Sequence, residues 1–143
     1  MTIKYQSPNE PAVENPNIDE LRTKMIDNFP EYWHQGKGTA AIQYICEEKG
    51  HRSLLIFPDD KYGIYLKYST KENGRVKETW LSMENHLWMD THIECSDEWY
   101  ASVGLYMPVE KAWAGIKYFL ETGERFPKIE WRNTKDMPEG SNW

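Results

Sequence analysis

Asp90, His92, Glu94, Cys95, Asp97 and Glu98 form the densest cluster of chemistry-bearing side chains in the chain. Residues two apart on a strand share a face, so an extended segment here would project Asp90, His92 and Glu94 together. An imidazole between two carboxylates is a sound three-ligand metal set, or a general acid and base pair. Such sites draw ligands from separated parts of a chain, however, and no second His, Asp or Glu group with diagnostic spacing stands elsewhere. The expectation is therefore no metal. A small metal-dependent hydrolase built on His92 and its neighbouring carboxylates is the alternative.

Nucleophilic chemistry has less to stand on. Acids beside Cys95 would raise the pKa of its thiol, whereas reactive thiolates sit in electropositive surroundings. Cys46 and Cys95 are isolated, with no CxxC or ligand spacing, so both read as free thiols. No serine occupies a Gly-x-Ser-x-Gly elbow, and His34, His51, His86 and His92 lack a partner arrangement. Gly36-Lys37-Gly38-Thr39 looks like the tail of a phosphate loop, but it lacks the upstream glycine and lies between a helix and a strand, the reverse of the required order. No catalytic residue is expected.

The 143 residues, 39% hydrophobic and 28% charged, fit one globular domain, and seven Trp, nine Tyr and four Phe supply core volume. No apolar run approaches the length of a membrane span, and Met1 to Pro8 carries no secretory pattern, so the reading is a cytoplasmic protein without a membrane partner. Charge is more informative in its placement than in its total of −6. No Lys or Arg occurs between Lys77 and Lys111, while Glu78, Glu84, Asp90, Glu94, Asp97, Glu98 and Glu110 contribute seven acids; the remainder holds 17 bases and 16 acids. An excess of acid disfavours nucleic-acid phosphate as a direct ligand. The same segment carries Trp80, Trp88, Trp99, Tyr100 and Tyr106. Acids interleaved with aromatic rings suit a face that steers a basic protein partner and anchors it. Equally, the acids could solvate the outside of strands whose inner face holds the rings.

These residues must be positioned by the surrounding elements. Residues 1–15, with Pro8 and Pro11, read as an extended N-terminal arm. A helix capped at Asn15-Pro16-Asn17 carries the stripe Ile18, Leu21, Met25 and Ile26 and ends near Phe29-Pro30. Alternation over Thr39–Glu47, His51–Phe57, Tyr62–Tyr68 and Arg75–Ser82, with turns at Pro58–Lys61 and Lys71–Gly74, predicts an antiparallel meander. One or two further strands are expected around Thr91–Cys95 and Tyr100–Tyr106. Pro108 opens a helix with Val109, Ala112, Trp113, Ile116, Phe119 and Leu120 on one face, stopped at Gly123. A short strand over Lys128–Arg132 precedes a polar tail, 133–143. The order predicts a single α+β domain over residues 16–132, a mostly antiparallel sheet of five to seven strands packed by an N-terminal and a C-terminal helix. Trp80, Trp113 and Trp131 are expected in its core, with Trp33 locking the glycine connection to the sheet.

Several stretches together resemble the immunity proteins of bacterial polymorphic toxin systems, in particular the family often encoded beside deaminase and nuclease toxins. They are Trp33-His34-Gln35-Gly36-Lys37-Gly38-Thr39-Ala40, Tyr62-Gly63-Ile64-Tyr65-Leu66, Trp80-Leu81-Ser82 and Glu94 to Ser102. The run from Ala112-Trp113 through Thr122-Gly123 to Pro127-Lys128-Ile129-Glu130-Trp131 completes the likeness. The resemblance implies a small cytoplasmic α+β protein, without catalytic residues or cofactor, that binds and neutralises the toxin C-terminal domain encoded next to it. A toxin acting on nucleic acid presents a basic cleft, which an acidic patch would occlude. On that reading Glu84, Asp90, Asp97 and Glu98 are the charge contacts and Trp88, Trp99 and Tyr100 the anchors.

Overall fold

Asn17 opens the first helix as its type dictates: the side-chain oxygen accepts the Glu20 N–H at 3.0 Å. In the computed structural model, which describes residues 1–8, 10–34, 38–48, 50–96 and 99–136, this helix, α1, covers Ile18–Arg22. The expected continuation to Phe29 takes another form. Thr23 Oγ1 donates to the Asp19 carbonyl at 3.1 Å, and the Asn28 N–H reaches back five residues to the Thr23 carbonyl at 3.0 Å. The ladder thereby widens into a π turn over Thr23–Asp27, which buries both Met25 and Ile26.

Strands β1 (Thr2–Gln6), β2 (Val13–Glu14), β3 (Ala40–Cys46), β4 (Gly50–Asp59), β5 (Gly63–Glu72), β6 (Arg75–Met83) and β9 (Glu130–Asn133) form one sheet. Their order is β2-β1-β3-β4-β5-β6-β9, and every neighbouring pair is antiparallel. The meander is as the turn residues require: Asn73 and Gly74 sit consecutively at φ 53° and 77°, the left-handed pair of a tight hairpin turn. Helix α2 (Val109–Thr122) ends at Gly123 with φ 74°, where a side chain would meet the Tyr44 ring. The fold is α+β.

Two expectations need correction. Residues 1–15 are not an arm outside the sheet, because β1 pairs with β3 along its whole length, Thr2 opposite Ile45 to Gln6 opposite Ala41. Ile3 and Tyr5 supply the inward alternation, and the buried Tyr5 hydroxyl lies 2.7 Å from that of Tyr32. The acidic segment, in turn, does not extend the main sheet. Strands β7 (His92–Ser96) and β8 (Trp99–Ser102) form a separate hairpin, and the chain then turns through a 3-10 helix at Val103–Leu105 where strand was expected to Tyr106.

Both faces of the sheet are used. Ile42, Tyr44, Leu54, Ile56, Leu66 and Tyr68 face the helices and meet Leu21, Met25, Trp113, Ile116 and Phe119 in the larger core. Trp113 is buried, whereas Trp80 and Trp131 are half-buried at the margin of that core. Trp33 is buried with its indole N–H on the Met25 carbonyl at 3.1 Å. On the opposite face Tyr65, Leu81 and Met83 pack beneath Ala101, Leu105 and Tyr106. Among the described residues no helix is long and apolar enough to cross a membrane.

What positions the acidic segment is a split between two strands. Pairing of β5 with β6 runs from Glu72 opposite Arg75 to Lys67 opposite Leu81 and then stops. Residues 103–107 enter the gap. Ile64 and Met107 exchange both backbone hydrogen bonds at 3.0 and 2.9 Å, and the Glu84 and Asn85 N–H groups both donate to the Gly104 carbonyl, at 2.8 and 3.0 Å. Ser82, fully buried, closes the seam: its hydroxyl accepts the Leu66 N–H at 2.9 Å and donates to the Leu105 carbonyl at 3.0 Å. Two glycines make the approach possible. A Cβ on Gly104 would stand 2.2 Å from the Asn85 carbonyl oxygen, and one on Gly63, at φ 102°, 1.9 Å from that of Met107.

Candidate functional site

Three segments converge at the mouth of this split: the end of the β4–β5 turn, the loop 84–90, and residues 103–106. The loop is built on Asn85, whose side chain caps a 3-10 turn over His86–Trp88 by accepting the Leu87 N–H at 3.0 Å. Side-chain contacts hold it from two sides. His86 Nε2 lies 2.7 Å from Glu130 on β9, and Lys111 of α2 places its ammonium 2.9 Å from the Glu84 carboxylate. Ser102 donates to the Met89 carbonyl at 2.9 Å, and the Val103 N–H to the Thr91 carbonyl at 2.8 Å, which joins the loop to the hairpin.

This scaffold presents large apolar side chains to water. Leu87 is 90% exposed, Trp88 45% and Tyr100 44%. Isolated exposed apolar residues are ordinary, but Leu87 and Trp88 crown a turn held by backbone and ion-pair contacts, and Trp88 also lines a pocket. That pocket, about 310 Å³, is walled by Tyr62, Trp88, Tyr106 and Val103, with Glu84 and Asn85 at its polar side. One further contact bears on its chemistry: the Lys61 ammonium stands over the Tyr62 ring, 5.1 Å from its centroid.

The expected contact residues divide into three groups. Glu84 and Trp88 share the pocket. Asp90 and Tyr100 are exposed on the adjoining loop and hairpin, where Tyr100 faces Glu94 across the strands while Ile93 and Ala101 turn inward. Asp97 and Glu98 lie outside the described residues, and for Trp99 the backbone alone is described, in β8. The acids of the base-free segment are therefore not equivalent. Lys111 neutralises Glu84, and Arg22, hydrogen-bonded to Glu110 at 2.7 Å, holds that carboxyl below the usual carboxylate range. Asp90 and Glu94 are exposed on the loop and the hairpin.

Of the candidate metal ligands, His92 and Glu94 do share the outer face of β7, but Asp90 precedes the strand in a turn and leaves their row. Among the described residues no group of three or more His, Cys, Asp or Glu side chains is placed to hold a metal ion. Cys46 is a free thiol, and the side chain of Cys95 lies outside the described residues, as do Gly36 and Lys37 of the loop-like stretch.

Sequence reasoning placed Tyr62 and Tyr106 in strands and left Val103 and Asn85 without a role. The signal for Val103, Tyr106 and Asn85 was Gly104, a glycine inside an apparent strand, which marks a bulge or a close backbone approach. No family model, curated protein or solved structure matches the chain.

Proposed function

We propose that the protein is an immunity protein that binds a cognate bacterial toxin domain, one acting on nucleic acid, and neutralises it by covering its basic active-site region. The observation that carries this reading is the surface formed by loop 84–90 and the β7–β8 hairpin, where Leu87, Trp88 and Tyr100 are exposed beside Asp90 and Glu94. Large amphipathic rings supply most of the energy of a protein interface, and surrounding charge of one sign sets which partner arrives and how fast. A basic cleft complements both features.

In this mechanism the protein acts by occupancy. The acids attract the toxin's phosphate-binding bases, and the rings and Leu87 exclude water from the contact. The inhibited state persists for as long as the complex does, so its strength lies in slow dissociation. Lys111 ties the start of loop 84–90 to α2 through Glu84, which lets the surface meet its partner already shaped. The test is co-expression with the toxin domain encoded beside this chain, scoring survival and co-purification. Survival with a stable complex is expected; death of cells producing both proteins in soluble form would overturn the reading.

A further inference from the structure

We infer that the pocket between Tyr62, Trp88 and Tyr106 is a socket for one cationic side chain of the partner, an arginine guanidinium inserted against the rings and paired with Glu84. The inference rests on the protein-binding reading above and names what that surface grips.

The pocket's two recognition elements already hold cations from the chain itself. The Tyr62 ring carries the Lys61 ammonium at 5.1 Å, and the Glu84 carboxylate takes the Lys111 ammonium at 2.9 and 3.1 Å from its two oxygens. Both arrangements are ones in which aromatic faces and carboxylates bind positive charge. Neither lysine lines the pocket, so its space of about 310 Å³ is left to a guest. An anionic guest would meet Glu84, and an apolar one would take the Glu84–Lys111 pair out of water without adding a hydrogen bond to it. A guanidinium satisfies all the walls at once: it is planar, stacks on rings, and offers a donor fork to the carboxylate. Lys111, 39% exposed at its side chain, is a placeholder that such a guest can displace toward water. Gly63 and Gly104 fix the socket's shape, because the close approaches they permit hold Met107 and Asn85, and with them Tyr106 and the loop, in place.

The probe is N-acetyl-arginine N-methylamide, titrated into the uniformly 15N-labelled full chain, with the Trp88 indole N–H assigned by comparison with Trp88→Phe. The neutral isostere N-acetyl-citrulline N-methylamide and the leucine analogue serve as controls. A saturable shift at Trp88 with the arginine probe only is expected. Glu84→Gln should weaken it about five-fold and Lys111→Met should strengthen it by a similar factor. Equal response to the citrulline or leucine probe, or no response at Trp88 to the arginine probe, would overturn the socket. Should Glu84→Gln not fold, Lys111→Met carries the test alone, and unchanged affinity there counts against the proposal. Protection in the co-expression assay without arginine binding would refute the socket and leave the toxin reading intact; arginine binding without protection would refute only the latter.

Discussion

The Ser82 hydroxyl accepts the Leu66 N–H at 2.9 Å, at the point where β5 and β6 cease to pair, and donates its own hydrogen bond to the Leu105 carbonyl 3.0 Å away. One buried oxygen therefore closes the main sheet onto the segment that shapes the pocket. Ser82→Ala should orphan a buried donor and a buried acceptor, a loss of about 2–5 kcal/mol. Urea unfolding measures it. A change below 1 kcal/mol, on the scale of ordinary surface substitutions, would mean that the seam is held by other contacts.

The tryptophans separate into structural and contact residues. Trp113→Ala removes a ring buried in the larger core and should cost about 3–5 kcal/mol of stability. Trp88→Ala should leave the melting curve within about 0.5 kcal/mol of the parent while weakening partner binding by about 2 kcal/mol or more. Thermal melts and titration calorimetry on both variants distinguish the two roles, and a reversed pattern would remove the loop from the binding face.

Asp90 and Glu94 are exposed at the loop and hairpin. The double reversal Asp90→Lys with Glu94→Lys should lower the association rate about ten-fold or more at low salt and flatten its salt dependence. Stopped-flow mixing with the toxin domain reads both. Asp97→Lys with Glu98→Lys should act in the same direction. Rates that do not move in either double variant would mean that charge does not steer the encounter.

His51 gives a pH dependence. Its Nε2 is buried without a hydrogen-bond partner among the described residues, and burial, then the Lys71 and Lys4 charges, push the imidazole pKa down. The folded state thus favours neutral His51 more than the unfolded chain does. Its contribution to stability is fully present above the unfolded value of about 6.5 and is lost as pH falls toward the lower folded value. Denaturant unfolding at pH 7.5 and 5.5 should show a smaller acid loss for His51→Gln than for the parent. Identical losses would place the acid sensitivity elsewhere.

Local chemistry made most of the sheet readable. Asn73-Gly74 dictates a hairpin turn, Pro108 and Gly123 bound α2, and the alternation of Ala40, Ile42, Tyr44 and Cys46 puts one face of β3 on the core. The errors lie where contacts distant in sequence decide the outcome. Tyr5 draws β1 into the sheet through Tyr32, 27 residues away, despite the prolines that follow it. The strand expected through Tyr106 breaks because Gly104 must receive the Glu84 and Asn85 N–H groups. The acidic character of residues 78–110 was plain in the sequence, but which acids are neutralised depends on Arg22 and Lys111, bases supplied by the two helices.

The most direct test of the binding face is a chemical-shift map of the 15N-labelled chain on addition of the inactivated toxin domain. Perturbations concentrated in residues 84–106, with the Trp88 indole and Tyr100 amide among the largest, are the predicted result. A saturable complex whose perturbations fall instead on α1 and α2, with loop 84–90 and the hairpin unchanged, would contradict it.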